Sequence, residues 1–380
     1  MRVAHVVTYL SPDGAFGGPA RVALGQAEAL AARGHEVTVF AACPPDEEVD
    51  QQQDGYSLRT FSGRFLHASL GFAGLRSPGL MRALRAAAPD LDIAHIHLAR
   101  DLVTLPAARA VRRLGIPYVV QTHGMIDAST RLLARPIDLW ETRAALRGAS
   151  WALVLTAEEA GSLAEIEPSV KQVRITNGVH VGELSPYNDR LPRVVFLARL
   201  HPRKRAPAFV ETARLLAPRF PQLEFVLAGP DEGDGKRVAE MISALGESVP
   251  VRWIGAVDPA ETDSLLRSAS AYVLPAEGEV FPMSLLEALR AGTPSVVTTS
   301  LGIADACRKY GAAVITDGSP EAMAHALAEI LTVPGHAESL RQGGATYLRD
   351  ELNIDHVALR LEGLYDETRQ LADAPRPGKG

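Results

Sequence analysis

Two carboxylates, Glu279 and Glu287, bracket seven residues in the segment Glu277-Gly278-Glu279-Val280-Phe281-Pro282-Met283-Ser284-Leu285-Leu286-Glu287-Ala288. The run before it, Ala271-Tyr272-Val273-Leu274-Pro275, is short, apolar and bounded by proline, and reads as a buried strand. After Phe281 the apolar positions take helical spacing, which ends at Ala291-Gly292. Glu279 is therefore expected in a strand-to-helix loop, and Glu287 one to two turns into the helix that follows. In open α/β sheets ligands bind outside the carboxyl ends of the strands. Carboxylate pairs also serve glycoside hydrolysis, so the pair alone does not name the reaction.

Three further segments share that kind of position. Arg199 and Lys204 lie in Phe196-Leu197-Ala198-Arg199-Leu200-His201-Pro202-Arg203-Lys204-Arg205, after a strand and before a helix. Cations held there suit a leaving group that gains negative charge, such as a diphosphate; otherwise they form a solvated basic loop. A hydrolase needs no such paired cations. Of the 39 Lys and Arg residues only five are Lys, which makes Lys204 at this position the more notable. His123, in Gln121-Thr122-His123-Gly124-Met125, ends another buried strand and is expected to face the ligand side. Gly14-Ala15-Phe16-Gly17-Gly18-Pro19 joins the first strand to the first helix. Its glycines allow close backbone approach, and the helix start offers free N–H groups to an anion. The spacing is not G-x-G-x-x-G, and no acidic residue closes the second strand to hold a nicotinamide ribose.

The elements that must position these residues fall into two series. Strands are expected at Val3–Val7, Glu36–Ala41, Ile93–Ile96, Tyr118–Val120 and Trp151–Leu155, with a first helix over Pro19–Arg33. Residues Ser185–Pro192 are rich in turn formers and read as a linker. Strands then resume at Val194–Leu197, Glu224–Ala228, Val251–Ile254, Ala271–Leu274, Ser295–Thr298 and Ala313–Ile315. Short apolar strands alternating with helices imply parallel sheets buried on both faces. The expected fold is α/β, with two Rossmann-like doubly wound domains facing a cleft. We assign residues 1–187 to the first domain, 188–350 to the second and 351–371 to a terminal helix. Residues 372–380 are expected to be a disordered tail.

Composition excludes several classes. The chain has 380 residues, 47% hydrophobic and 22% charged, with a net charge of −6, which suits neither disorder nor a dedicated nucleic-acid binder. Cys43 and Cys307 are its only cysteines, too far apart in sequence for a zinc motif or a disulfide framework. The N-terminus is a strand and not a signal peptide, and no apolar run is long enough to span a bilayer. A cytoplasmic protein is expected. Residues 59–147 carry 13 Arg against six acidic residues. This stretch is read mainly as solvated helix faces, and alternatively as a rim for peripheral contact with an anionic membrane at its inner face.

Taken in order, these segments resemble glycosyltransferase family 4, the retaining enzymes of GT-B architecture with an E-x7-E motif. The resemblance implies a sugar transferred from a nucleotide-diphosphate sugar to an acceptor hydroxyl. The acceptor would be a glycan, a lipid-linked molecule or a small molecule. The nucleotide sugar is a co-substrate, and no cofactor or metal is implied. Arg199 and Lys204 match the family's phosphate-binding pair, although the glycine that usually follows the lysine is Arg205. Glu279 and the backbone N–H groups from Phe281 to Met283 match its sugar contacts, with Pro282 where glycine is common. Glu287 matches the ribose contact, and His123 the histidine that touches the sugar. His95 and His97 match a recurrent strand end, with a structural or acceptor-side role. Gly17 and Gly18 match the glycine loop beside the donor diphosphate. Asn177 matches the loop before the linker, Gly229 the glycine-rich donor-side turn, and Trp253 a position near the base. The alternatives are a sugar-nucleotide 2-epimerase of the same fold and a non-catalytic nucleotide-sugar-binding protein.

Overall fold

The computed structural model describes residues 1–10, 18–67, 73–126, 137–184, 187 and 190–373. Gly17 of the glycine loop, half of the linker and the tail from residue 374 lie outside the described residues. The chain forms two compact units. Of the described residues, one unit takes those from 1 to 10, from 18 to 178 and from 354 to 373; the other takes those from 179 to 353.

The first unit is built on a sheet of β1 (Arg2–Tyr9), β2 (Glu36–Cys43), β3 (Asp50–Gln53), β4 (Tyr56–Ser62), β7 (Ile93–His97), β8 (Tyr118–Gln121), β9 (Ala152–Val154) and β10 (Gln172–Arg174). A separate two-stranded ribbon is formed by β5 (Arg64–Phe65) and β6 (Leu75–Arg76). The large sheet runs β10-β9-β8-β7-β1-β2-β4-β3, all parallel except for β3. Strand β3 was not anticipated. Its sequence, Asp50-Gln51-Gln52-Gln53, is almost wholly exposed at the edge, where apolar patterning gives no signal.

Both faces of this sheet are covered, as its apolar strands require. One face packs Val6, Ile96, Val120 and Val154 with Leu80, Leu84 and Val111. The other packs Val3, Val39 and Val119 with Ala23, Ala27 and Leu30 of α1 (Gly18–Ala32). Ile354, Val357, Leu361 and Tyr365 of the terminal helix, Ile354–Asp373, lie on this second face. The helix includes residues 372 and 373, which the sequence reading placed in a tail.

The second unit holds β11 (Leu191–Leu197), β12 (Glu224–Ala228), β13 (Val251–Trp253), β14 (Ala269–Leu274), β15 (Ser295–Thr298) and β16 (Val314–Thr316). They pair in parallel in the order β13-β12-β11-β14-β15-β16. Strand β11 starts at Leu191, so Pro192 belongs to the strand and not to a linker. The register shifts between Leu191 and Val194, and such an irregularity tolerates a proline. The units divide at Gly178, earlier than the expected 187, and again at Asn353. There Val179 bridges Asn353 and its N–H bonds the Leu352 carbonyl, which ties this stretch into the second unit. Among the described residues no helix is long and apolar enough to cross a membrane.

Each sheet has one place where the chain reverses its direction of winding. In the first it lies between β1 and β7, in the second between β11 and β14. Such switch points open a crevice beyond the strand ends.

Gly229 follows β12 with φ +146°, and a Cβ there would overlap the Ala198 carbonyl oxygen behind β11. Gly229→Ala is therefore expected to destabilise the second unit by about 1–3 kcal/mol through backbone strain and overpacking. A urea titration checks this; an unshifted midpoint would mean the two loops can move apart freely.

Candidate functional site

Lys204 and Glu279 meet at the switch point of the second sheet. Lys204 lies on a single 3-10 turn, Pro202–Lys204, after β11, and Glu279 lies on the loop after β14. Their Nζ and Oε2 are 2.5 Å apart, with the side chains 13% and 23% exposed. Backbone contacts lock the two loops together. The N–H of Glu277 donates to the Arg203 carbonyl at 2.8 Å, and the Arg203 guanidinium donates to the carbonyls of Glu277 and Gly278. Arg205, in left-handed conformation at φ +54°, reaches Glu277 at 3.3 Å. Arg205 thus holds a left-handed backbone, which glycine adopts most readily, and adds an ion pair.

Arg199 pairs with Glu232 at 2.5 Å. Sequence reading missed Glu232. Its signal was the turn Gly229-Pro230-Asp231-Glu232, where Asp231 Oδ1 accepts from Gly233 N–H and Gly235 N–H, both at 2.8 Å. Gly229 N–H bonds the Gly255 carbonyl, and Trp253 Nε1 donates to the Gly229 carbonyl at 2.8 Å. Trp253 therefore braces the turn.

Glu287 is half-buried on the helix Met283–Arg290, whose first turn follows buried Phe281 and Pro282. The far end of that helix is held by a residue the sequence reading did not single out. Arg190 donates to the carbonyls of Ala291 and Gly292 at 2.7 and 2.9 Å, and Arg341 Nε reaches Gly292 at 3.1 Å. Helix C-terminal carbonyls have no intrahelical donors, and a guanidinium supplies them. Burial lowers the Arg190 pKa to about 10, with neighbouring Arg341 adding to the effect; it remains charged at neutral pH.

In the first unit, His123 follows β8 with φ +52°, an uncommon conformation for a side chain of its size. Glu159 holds it there. One carboxylate oxygen accepts from Thr122 Oγ1 and from Gly124 N–H on either side of His123; the other accepts from Leu155 N–H at 2.7 Å. Glu159 is 4% exposed and sits in the helix Ala157–Ile166, capped by Thr156. Thr156-Ala157-Glu158-Glu159 has the spacing of a capping box, a signal that could have drawn attention to it. Here the glutamate serves the neighbouring loop.

His5, His95 and His97 are buried around the β1/β7 switch point, close to His123. Among the described residues, this trio is the group that could hold an ion. Asn177 is buried in the same unit, its Oδ1 accepting from Gln121 Nε2 at 3.3 Å. The structure thus brings Arg199, Lys204, Gly229, Trp253, Glu279, Phe281, Pro282, Met283 and Glu287 into one unit, and Gly18, His123 and Asn177 into the other.

Two parallel doubly wound sheets with polar residues at their switch points define the GT-B class. Sucrose-phosphate synthase from Thermosynechococcus elongatus has this fold, with a TM-score of 0.72, 17% identity and coverage of 98% of this chain and 100% of that one. Anabaena HepE in complex with UDP and glucose also has it, with a TM-score of 0.72, 15% identity and coverage of 97% and 100%. The models for "Glycosyl transferase 4-like domain" and "Glycosyl transferases group 1" match residues 17–178 and 185–346. The chain belongs to glycosyltransferase family 4. A D-inositol 3-phosphate glycosyltransferase from Jonesia denitrificans is 26% identical over 98% of this chain and 97% of its own length. A phosphatidyl-myo-inositol mannosyltransferase from Mycolicibacterium smegmatis is 36% identical over 38% of this chain and 37% of its own.

Two outcomes follow for the first unit. Glu159→Gln keeps the shape and removes the charge, and should destabilise by about 1.5–3 kcal/mol as charge-assisted hydrogen bonds weaken; wild-type stability in urea would contradict the clamp. Burial also lowers the pKa of His5 and His123 to about 3, and drives His95 and His97 well below the usual value. Between about pH 6.5 and about pH 3 the unfolded chain then binds more protons than the folded one, so stability falls as pH falls through that window. Urea midpoints at about pH 7 and about pH 5.5, where few carboxylates titrate, test the sign.

Proposed function

We propose that this glycosyltransferase moves a sugar from a nucleotide-diphosphate sugar to an acceptor hydroxyl, with retention at the anomeric carbon. The observation that carries the reading is the Lys204–Glu279 pair at the β11/β14 switch point. When the bond from the anomeric carbon to the diphosphate oxygen breaks, negative charge gathers on the phosphate. Lys204 and Arg199 are the cations positioned to stabilise it, and their carboxylate partners keep them neutralised until the donor arrives. The incoming diphosphate takes over Lys204, and Glu279 is released to accept from a sugar hydroxyl. The backbone N–H groups of Phe281 and Met283 add to the sugar contacts, and Pro282 contributes none. Glu287 accepts from the ribose hydroxyls, while Gly229 and Trp253 shape the nucleotide end. His123 contacts the transferred sugar; Gly17, Gly18 and Asn177 complete the donor contacts.

In the reaction the acceptor oxygen bonds the anomeric carbon on the face the phosphate leaves, and its proton passes to the departing phosphate oxygen. That step needs no protein nucleophile, metal or cofactor. Support for a nucleotide-sugar donor comes from the family and from the Anabaena complex with UDP and glucose. Support for a phosphate-bearing polyol acceptor comes from the relatives named for inositol phosphate and phosphatidyl-inositol. The test is product formation from UDP-, GDP- and ADP-sugars with and without a chelator, the product anomer being read by NMR. No product from any donor, an inverted anomer or loss of activity with chelator would each remove part of the reading.

Lys204 and Glu287 should fail differently. Lys204→Ala removes a charge needed most in the transition state and should lower kcat by about 10²–10³. Glu287→Ala removes contacts made before and during reaction, so it should chiefly raise donor KM, by the equivalent of about 1.5–3 kcal/mol. Steady-state kinetics with saturating acceptor separates the two; unchanged turnover in Lys204→Ala would refute the phosphate assignment.

A further inference from the structure

The four histidines around the first switch point form a chain. His123 Nε2 lies 2.8 Å from His97 Nδ1, and His97 Nε2 lies 3.0 Å from His5 Nδ1. His5 Nε2 lies 3.3 Å from the hydroxyl of Tyr365, which lies 2.7 Å from His95 Nδ1. The chain crosses from the loop after β8 through β7 and β1 to the terminal helix and back to β7. His5 and His95 are 0% exposed, His97 1% and Tyr365 0%. At the far end, His95 Nε2 is buried, and the Gln121 side chain is the polar group beside His95. At the near end stands half-buried His123.

The links run head to tail, Nε2 of one ring to Nδ1 of the next, with a hydroxyl inserted once. A neutral imidazole has one N–H and one bare nitrogen. If His123 donates from Nε2, then His97 must accept at Nδ1 and donate from Nε2. His5 must do the same, and Tyr365 must accept from His5 and donate to His95 Nδ1. All four rings are then Nε2–H. If the direction is reversed, all four are Nδ1–H. Any mixed state puts two lone pairs, or two protons, face to face at one link, or leaves the buried Tyr365 hydroxyl proton without its acceptor. Each such fault costs about 1–3 kcal/mol. Burial keeps the rings uncharged, so a proton added within the chain does not relieve the constraint.

We propose that His97, His5, Tyr365 and His95 are positioning residues that set which ring nitrogen of His123 carries its proton. The other ring nitrogen of His123, Nδ1, then either donates to or accepts from a sugar hydroxyl. Which of these it does is decided by the whole chain, up to a helix that enters the unit more than two hundred residues later in sequence. The catalytic consequence rests on the sugar-contact role given to His123 above; the tautomer coupling itself does not.

The test is long-range ¹⁵N–¹H NMR on full-length protein labelled at histidine, with the four imidazole resonances assigned by correlation to their own backbone amides in the wild type. It needs neither donor nor turnover, so it stands apart from the proposed reaction. In the wild type, His5, His95, His97 and His123 are expected to show one common tautomer. Two tautomers among the four would overturn the proposal, even if no variant folds. Tyr365→Phe keeps the ring and deletes the hydroxyl, so a proton on His5 Nε2 would meet no acceptor. His5, His97 and His123 should then all be Nδ1–H. A His123 that keeps Nε2–H while His5 carries Nδ1–H would show that the rings titrate independently. Loss of activity in His123→Ala, measured separately, concerns the sugar-contact role alone.

Discussion

The structure depends on one topological constraint, the reversal of winding between β11 and β14 in the second sheet and between β1 and β7 in the first. A parallel sheet covered on both faces leaves its side chains no polar surroundings except beyond the strand ends. At a switch point two adjacent strands send their chains to opposite faces, so the space beyond them stays open. Lys204 follows β11 and Glu279 follows β14. Their loops therefore begin side by side, and a cation and a carboxylate 75 residues apart in sequence come into contact.

Once neighbours, the loops are held by groups that have no other use for their hydrogen bonds. Arg203 fills the carbonyls of the β14 loop, Arg205 takes a left-handed turn and pairs with Glu277, and Gly229 lets the β12 loop press against Ala198. Arg190 and Arg341 satisfy the carbonyls that end the Glu287 helix. These arginines bind carbonyls and carboxylates of their own unit. Arg190 and Arg203 act as multidentate donors to backbone carbonyls, a task for which the planar guanidinium is better shaped than an ammonium.

The first unit uses the same type of position differently. Its switch point is filled by His5, His95 and His97, all buried. Uncharged imidazoles can be buried together at low cost, because each offers its neighbour a donor or an acceptor. The terminal helix contributes Tyr365 to that group and covers the apolar face beside α1. The last helical segment thus belongs to the same unit as the N-terminal strand.

Much of this was legible in the sequence. The strands carrying the site are apolar runs of period and length that only a doubly covered sheet explains, and Glu279, Glu287, Arg199, Lys204 and His123 each follow such a run. Local patterning therefore determined the α/β class, the two series of strands and the loops that bear polar residues. It did not reveal β3, whose exposed Asp-Gln-Gln-Gln has no apolar face, nor the assignment of Pro192 to β11, because a bulge and not propensity admits it. It could not reveal that Glu159 holds the His123 turn, that Glu232 pairs with Arg199, or that His5 and Tyr365 share a hydrogen bond across 360 residues. Those contacts depend on strand order, and strand order is decided by how the sheets bury both faces at once. Sequence spacing carries the local period of each element. Only the packed structure decides which loop ends stand next to one another.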